Sequence, residues 1–262
     1  MRLNEIAAAD LWILDPLTEA DLHLLGAWAG AAPGSRVLDL ACGTGELLAR
    51  WAGWFGTTGI GVDISEAFLT RGRARAAELG VADAVDLVAG DAAAYRAEPG
   101  TFDIVVCLGA AWIGDGLEGT AALLRPALRP GAALLVADEH WTEPPPREAI
   151  TAIGGPAPDI TLAANIDRLA RSGLDVLHVL ESSPDAWEAY ESGRWRSMEG
   201  WLAANPGDAD APVVEARLAS QRRVYVDWGR RYLGWAAYVA RIRRDSSALA
   251  TRPDGDARSD DL

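Results

Sequence analysis

The chain has 262 residues, half of them apolar and a quarter charged, the composition of a globular protein with one sizeable core. All 24 basic residues are arginine, so no side chain can form a Schiff base and no P-loop of the Gly-Lys-Ser/Thr type exists. A formal charge of −14 disfavours nucleic acid as a partner, and the two cysteines, Cys42 and Cys107, each inside an apolar run, exclude a disulfide framework or thiolate metal site and fit a reducing cytoplasm.

Residues 1–17 are mixed in character, and Glu5 and Asp10 precede any apolar stretch, unlike a signal peptide. Thr18 with Asp21 three residues on is a helix start, and Leu22, Leu25 and Trp28 follow at helical spacing up to Pro33 and Gly34. Residues 1–30 are therefore expected to form an N-terminal helical cap. Short apolar runs then alternate with helical stretches. The runs at 37–40, 59–64, 85–89, 104–108 and 132–137 read as strands, and 46–54, 66–79 and 116–128 as helices. Continuous apolar strands alternating with helices imply a parallel sheet covered on both faces, an α/β doubly wound fold.

The second half is less regular. Glu143 and Pro144 to Pro146 make a rigid connection, 160–171 reads as a helix and 174–180 as a sixth strand. Residues 184–232 form a polar and aromatic stretch of helical character, an insertion before a seventh strand at 234–242. Residues 245–262 lack periodicity and are rich in Ser, Asp, Ala, Gly and Pro, which predicts a disordered tail after a domain spanning 1–244. No run approaches the roughly 18 apolar residues of a membrane helix. The chain is read as cytoplasmic, with no metal and no membrane association.

The chemistry concentrates at strand ends. Asp39, Ala41, Cys42, Gly43 and Gly45 lie between an apolar strand and a helix start, where glycines admit close approach of a ligand and the helix offers unpaired N–H groups. Asp63 ends the next strand, 24 residues after Asp39, and Asp91 follows the third. Three acids at the carboxyl ends of adjacent strands mark the ligand edge of an open α/β sheet. A dinucleotide fingerprint beginning at Gly43 would need Gly or Ala at position 48, which is Leu48. That weighs against a nicotinamide oxidoreductase, the alternative from another enzyme class.

Together these residues resemble the class I S-adenosylmethionine-dependent methyltransferases. The stretch from Asp39 to Gly45 is similar to their first motif, with Ala41 where many members have glycine. Phe102 to Leu108 and Leu128 to Ala132 resemble the fourth-strand motif and the turn into the fifth strand. The resemblance implies a seven-stranded, mostly parallel Rossmann-like sheet whose last strand runs antiparallel between the fifth and sixth. It implies that Asp39, Ala41, Gly43 and Gly45 hold the methionine part of S-adenosylmethionine. Asp63 would bind the ribose, with Ile64 beside the adenine. Asp91 and the backbone of Ala92 would read the adenine edge, and Leu108 completes the set. The product cofactor would be S-adenosylhomocysteine.

The activity implied is methyl transfer to an oxygen, nitrogen or carbon atom of a small molecule, aromatic or an amine, by a monomer or homodimer. A protein that binds the cofactor for cyclisation or regulation is the other alternative. No Asn/Asp-Pro-Pro-aromatic motif of amine methyltransferases acting on DNA or glutamine follows the fourth strand. His140 as general base and Glu139 as base or amine-orienting group are the catalytic candidates, in a loop expected after the fifth strand. Trp112, Trp141, Tyr190 and Trp195 are the expected walls of the acceptor pocket. Residues 215–244 hold eight arginines against Glu215 and Asp227, which suggests either a solvated face, a subunit contact or an anionic acceptor.

Overall fold

The computed structural model describes residues 2–243; the tail expected at 245–262 lies outside the described residues. Helices α1 (Arg2–Ala7) and α2 (Glu19–Ala29) precede the sheet. Thr18 caps α2 reciprocally: its side chain accepts from the Asp21 N–H while the Asp21 carboxylate accepts from the Thr18 N–H. The sheet is then laid down as β1 (Arg36–Leu40), α3 (Glu46–Phe55), β2 (Thr58–Asp63), α4 (Glu66–Glu78), β3 (Val85–Ala89) and β4 (Phe102–Cys107). It continues with α5 (Leu117–Leu124), β5 (Leu128–Trp141), α6 (Arg147–Ile153), α7 (Leu162–Arg171) and β6 (Leu174–Glu181). Helices α8 (Pro184–Ala204) and α9 (Ala211–Val224), with a π-turn at Tyr225–Gly229, precede β7 (Leu233–Ile242).

The strand order is β3-β2-β1-β4-β5-β7-β6. β1 to β5 are parallel, and β7 is antiparallel to both β5 and β6. The apolar runs are continuous because alternate residues enter two different cores. Leu38, Val105, Leu134 and Val136 join α5 and α7 residues on one face. Val37, Ile104, Val106 and Leu135 join α2 and α3 residues on the other. Trp51 of α3 is fully buried there and donates its indole N–H to the Leu22 carbonyl of α2 at 2.8 Å, so the large ring is both packed and polar-satisfied.

Two boundaries depart from expectation. The helix expected over 116–128 ends at Leu124 and tightens into a 3₁₀ turn at Arg125–Ala127, where Pro126 removes a backbone donor. The fifth strand, expected over 132–137, runs from Leu128 to Trp141. Its last residues are drawn into the sheet by β7: Asp138, Glu139, His140 and Trp141 pair with Ala236, Trp235, Gly234 and Leu233. Among the described residues no helix is long and apolar enough to cross a membrane.

Candidate active site

The carboxyl ends of β1, β2, β4 and β5 open into a cavity of about 1430 Å³. At its cofactor-sized end the chain turns sharply after β1. Ala41 and Gly43 both take positive φ, 62° and 57°. A left-handed alanine costs about 1 kcal/mol, a strain held by the surrounding bonds. Those bonds run from Cys42 N–H to the Val62 carbonyl at 3.1 Å and from Gly43 N–H to one oxygen of Asp63 at 2.8 Å. The other Asp63 oxygen accepts from Ser65 N–H at 2.8 Å, so one carboxylate ties the first loop to the second. Gly45 does not line the cavity; its φ of 67° turns the chain into α3.

Asp39, Ala41, Gly43, Asp63, Ile64, Asp91, Ala92 and Leu108 all line the cavity. Asp39 is buried, and its carboxylate accepts no hydrogen bond among the described residues. Burial raises its pKa well above the usual carboxylate range, and the neighbouring Asp15 and Asp63 add to the rise. A buried anion without a partner is a receptor for a cationic group. Ile64 is 61% exposed at the rim, an apolar face free to lie against a flat ring. Asp91 accepts from Ala93 N–H at 2.9 Å, which holds its loop in place.

The N-terminal segment closes this end. Thr44 donates its hydroxyl to the Trp12 carbonyl at 2.6 Å, and Ser65 donates to Glu5 at 2.6 Å. Arg71 of α4 donates to the Ala8 and Leu11 carbonyls and lies over the Trp12 ring. The segment delivers Asp15 to the cavity wall, against Gly109, where any side chain would collide with its carboxylate. Burial pushes the Asp15 carboxyl up to about 7.

This geometry has relatives. A family model described as a methyltransferase domain matches residues 37–131. The uncharacterized protein YjhP of Escherichia coli (strain K12) is 34% identical over 241 residues, 91% of this chain and 97% of that protein. Crystal structures of S-adenosylmethionine-dependent methyltransferases from Geobacter sulfurreducens and Thiobacillus denitrificans, both in complex with S-adenosylhomocysteine, superpose with TM-scores of 0.89 and 0.88. They are 36% and 34% identical, and the matches cover 93% of this chain and 98% and 99% of theirs. The chain belongs to the S-adenosylmethionine-dependent methyltransferases.

The other half of this methyltransferase's cavity corrects several expectations. His140 does not line it. Because β5 continues beside β7, His140 sits opposite Gly234, in space that a Cβ there would occupy, and is almost fully buried. Its Nε2 lies 3.1 Å from Glu181, its Nδ1 has no partner among the described residues, and burial lowers its pKa despite that carboxylate. Glu139, by contrast, does line the cavity, next to Asp138. Burial, reinforced by Asp138 and Glu191, pushes its carboxyl up to about 7.

Of the four expected aromatic walls, Tyr190 lines the cavity and Trp112 stands at its mouth, 73% exposed. Trp141 is buried behind the wall, donating its N–H to the Pro156 and Ala157 carbonyls and so fixing a loop that does face inward. Trp195 packs away from the cavity with Ile6, Met198 and Val214. Helical periodicity in α8 explains the difference: Trp187, Tyr190, Glu191 and Arg194 share the inward face, and Trp195 falls beside it. Trp12, Phe68, Trp187, Tyr225 and Trp235 add to the aromatic lining.

None of the arginines at 217–243 lines the cavity, which removes the anionic-acceptor reading of that stretch. Five of them, Arg222, Arg223, Arg230, Arg231 and Arg243, pair with surface carboxylates.

Proposed function

We propose that this chain methylates a small molecule, with S-adenosylmethionine bound between Asp39, Gly43, Asp63 and Asp91 and the acceptor bound between β5 and α8. The observation that carries this reading is one continuous cavity. Its roughly 1430 Å³ exceeds the 300–1,000 Å³ that one small ligand ordinarily needs. Unpartnered Asp39 suits the amino group of the cofactor, Asp63 the ribose hydroxyls, Ile64 the adenine face, and Asp91 with Ala92 the adenine edge.

When bound, the cofactor supplies an electrophilic methyl group, which the acceptor's lone pair takes while the C–S electron pair stays on sulfur as S-adenosylhomocysteine. The chain's own contribution is alignment and exclusion of water. The N-terminal segment covers the cofactor end, and α8 with the π-turn covers the acceptor end. Glu139, with a carboxyl near 7, is the group in the acceptor half that can hold or accept a proton at neutral pH. His140 is left with a structural role.

Calorimetry with S-adenosylhomocysteine tests the assignment. Asp63→Ala removes charge-assisted hydrogen bonds and should weaken binding by about 10- to 100-fold. Equal affinity of Asp63→Ala and the parent would sink the proposed cofactor site.

A further inference from the structure

The segment between α1 and α2 brings a second unpartnered carboxyl into the site, and its role rests on the function just proposed. Two consecutive residues of this segment are seated on two glycines of the sheet edge. Leu14 lies over Gly43 in the loop after β1, where a Cβ would stand 2.6 Å from its Cδ1. Asp15 lies over Gly109 in the loop after β4, where a Cβ would stand 1.9 Å from its Oδ1. Strands β1 and β4 are neighbours, with Asp39 paired to Val106, so the dipeptide bridges their two ends. It is held from both sides. Thr44 donates to the Trp12 carbonyl at 2.6 Å, and Ser182, just before α8, donates to the Pro16 carbonyl.

The strand order sets out the acids along the cavity: Asp63 at β2, Asp39 at β1, Asp15 over the end of β4, and Glu139 on β5. Asp15 therefore stands between the cofactor half and the acceptor half. Among the described residues no arginine and no hydrogen-bond donor reaches its carboxyl. Asp63 differs, since each of its oxygens accepts a backbone N–H. Burial comes first in raising the pKa of both Asp39 and Tyr190, and the Asp15 charge adds to the rise at each, one on either side of it. A desolvated carboxylate without a partner is costly unless a cation reaches it. S-adenosylmethionine carries two cationic centres, an amino group and a sulfonium, and the methyl on the sulfonium must face the acceptor. Asp39 and Asp15 match that pair: one lies within the cofactor half, the other at its border with the acceptor half.

We infer that Asp15 is the counter-charge of the cofactor's sulfonium and makes this chain hold S-adenosylmethionine more tightly than S-adenosylhomocysteine. The positive charge it faces disappears when the methyl group leaves and sulfur keeps the C–S electron pair. The carboxylate is then unpartnered again, which favours exchange of the spent cofactor for a fresh one. Asp39 faces the amino group that both forms carry and holds both alike. Gly109 permits the arrangement, because any Cβ at the end of β4 would occupy the place of the carboxylate.

Calorimetry on the full chain tests this at about pH 8, above the Asp15 value of about 7, so that the carboxyl is ionised. The ligands are S-adenosylmethionine, S-adenosylhomocysteine and sinefungin, which carries an ammonium group in place of the sulfonium. Asp15→Asn keeps the shape and removes the charge. It should weaken the two ligands charged at that position about 10-fold relative to S-adenosylhomocysteine. Asp39→Asn should weaken all three by one common factor, since all carry the amino group. Affinity ratios unchanged in Asp15→Asn would overturn the inference. So would an equal loss of all three ligands, which would place Asp15 at the amino group. The unfolding midpoint of Asp15→Asn, expected at or above that of the parent, separates such a loss from a fold defect, and Asp15→Ser repeats the comparison with a smaller side chain. Failure of the parent to bind S-adenosylhomocysteine at all would instead overturn the proposed function.

Discussion

Asp63 does two jobs with one carboxylate. Each oxygen already accepts a backbone N–H, from Gly43 and from Ser65, and each retains a lone pair toward the cavity. Such residues were legible because a strand-end acid after an apolar run needs only local sequence to be noticed. Asp15 and Glu191 were not legible. Their positions depend on where a loop before α2 and one face of α8 come to rest, and spacing along the chain carries no trace of that. His140 shows the opposite failure: a histidine beside a candidate site drew notice, but its direction was decided by Gly234, 94 residues later. Its replacement is therefore a residue-scale test. His140→Ala should cost about 1–3 kcal/mol in urea unfolding through lost packing and the lost Glu181 contact, and leave S-adenosylhomocysteine affinity unchanged. A large loss of affinity with unchanged stability would return His140 to the site.

Among the elements, the interior strands were readable because both of their faces are buried, so each announces itself as an unbroken apolar run. The end of β5 was hidden for a physical reason. Asp138, Glu139 and His140 are polar and would not extend a strand by propensity; pairing with β7 does it instead. Helix α4, which lends Phe68 to the cavity wall, is also bound tightly to the loop after β1. A Cβ on Gly72 would lie 2.1 Å from the Thr44 carbonyl oxygen, so the helix rests directly on the backbone of the glycine loop. Gly72→Ala must push α4 and the loop apart. It should destabilise the fold by about 1–3 kcal/mol, because the obstacle is backbone and cannot rotate aside, and weaken cofactor binding with it. Unfolding midpoint and calorimetry on the same variant check both; loss of stability alone would mean that the loop is held independently of α4.

Across the whole molecule, the cavity concentrates carboxyl groups whose burial works against folding. Asp15 and Glu139 rise from ordinary values of 3.8 and 4.5 to about 7. A carboxyl with a higher pKa when folded holds its proton more tightly there, so stability is lost as pH rises from the unfolded value through about 7. Buried His140, lowered in pKa, pulls the other way below about pH 6.5, so comparison with a variant isolates the acids. Between pH 5.5 and 8 the ligand-free parent should lose roughly 3–6 °C of melting temperature relative to Asp15→Asn/Glu139→Gln, after allowance for partial solvent access. Parallel curves for the two proteins would show that these groups ionise freely. The cover over the cavity comes from two stretches far apart in the chain, 2–17 and 182–232, and they grip each other as well as the site. Arg2 pairs with Asp208 and Asp210, Arg217 donates to Asn4, and the Asp10 N–H donates to Ser197. A chimera that borrows its acceptor preference from a relative would therefore have to import both stretches as a matched set, while the cofactor loops between them could stay as they are.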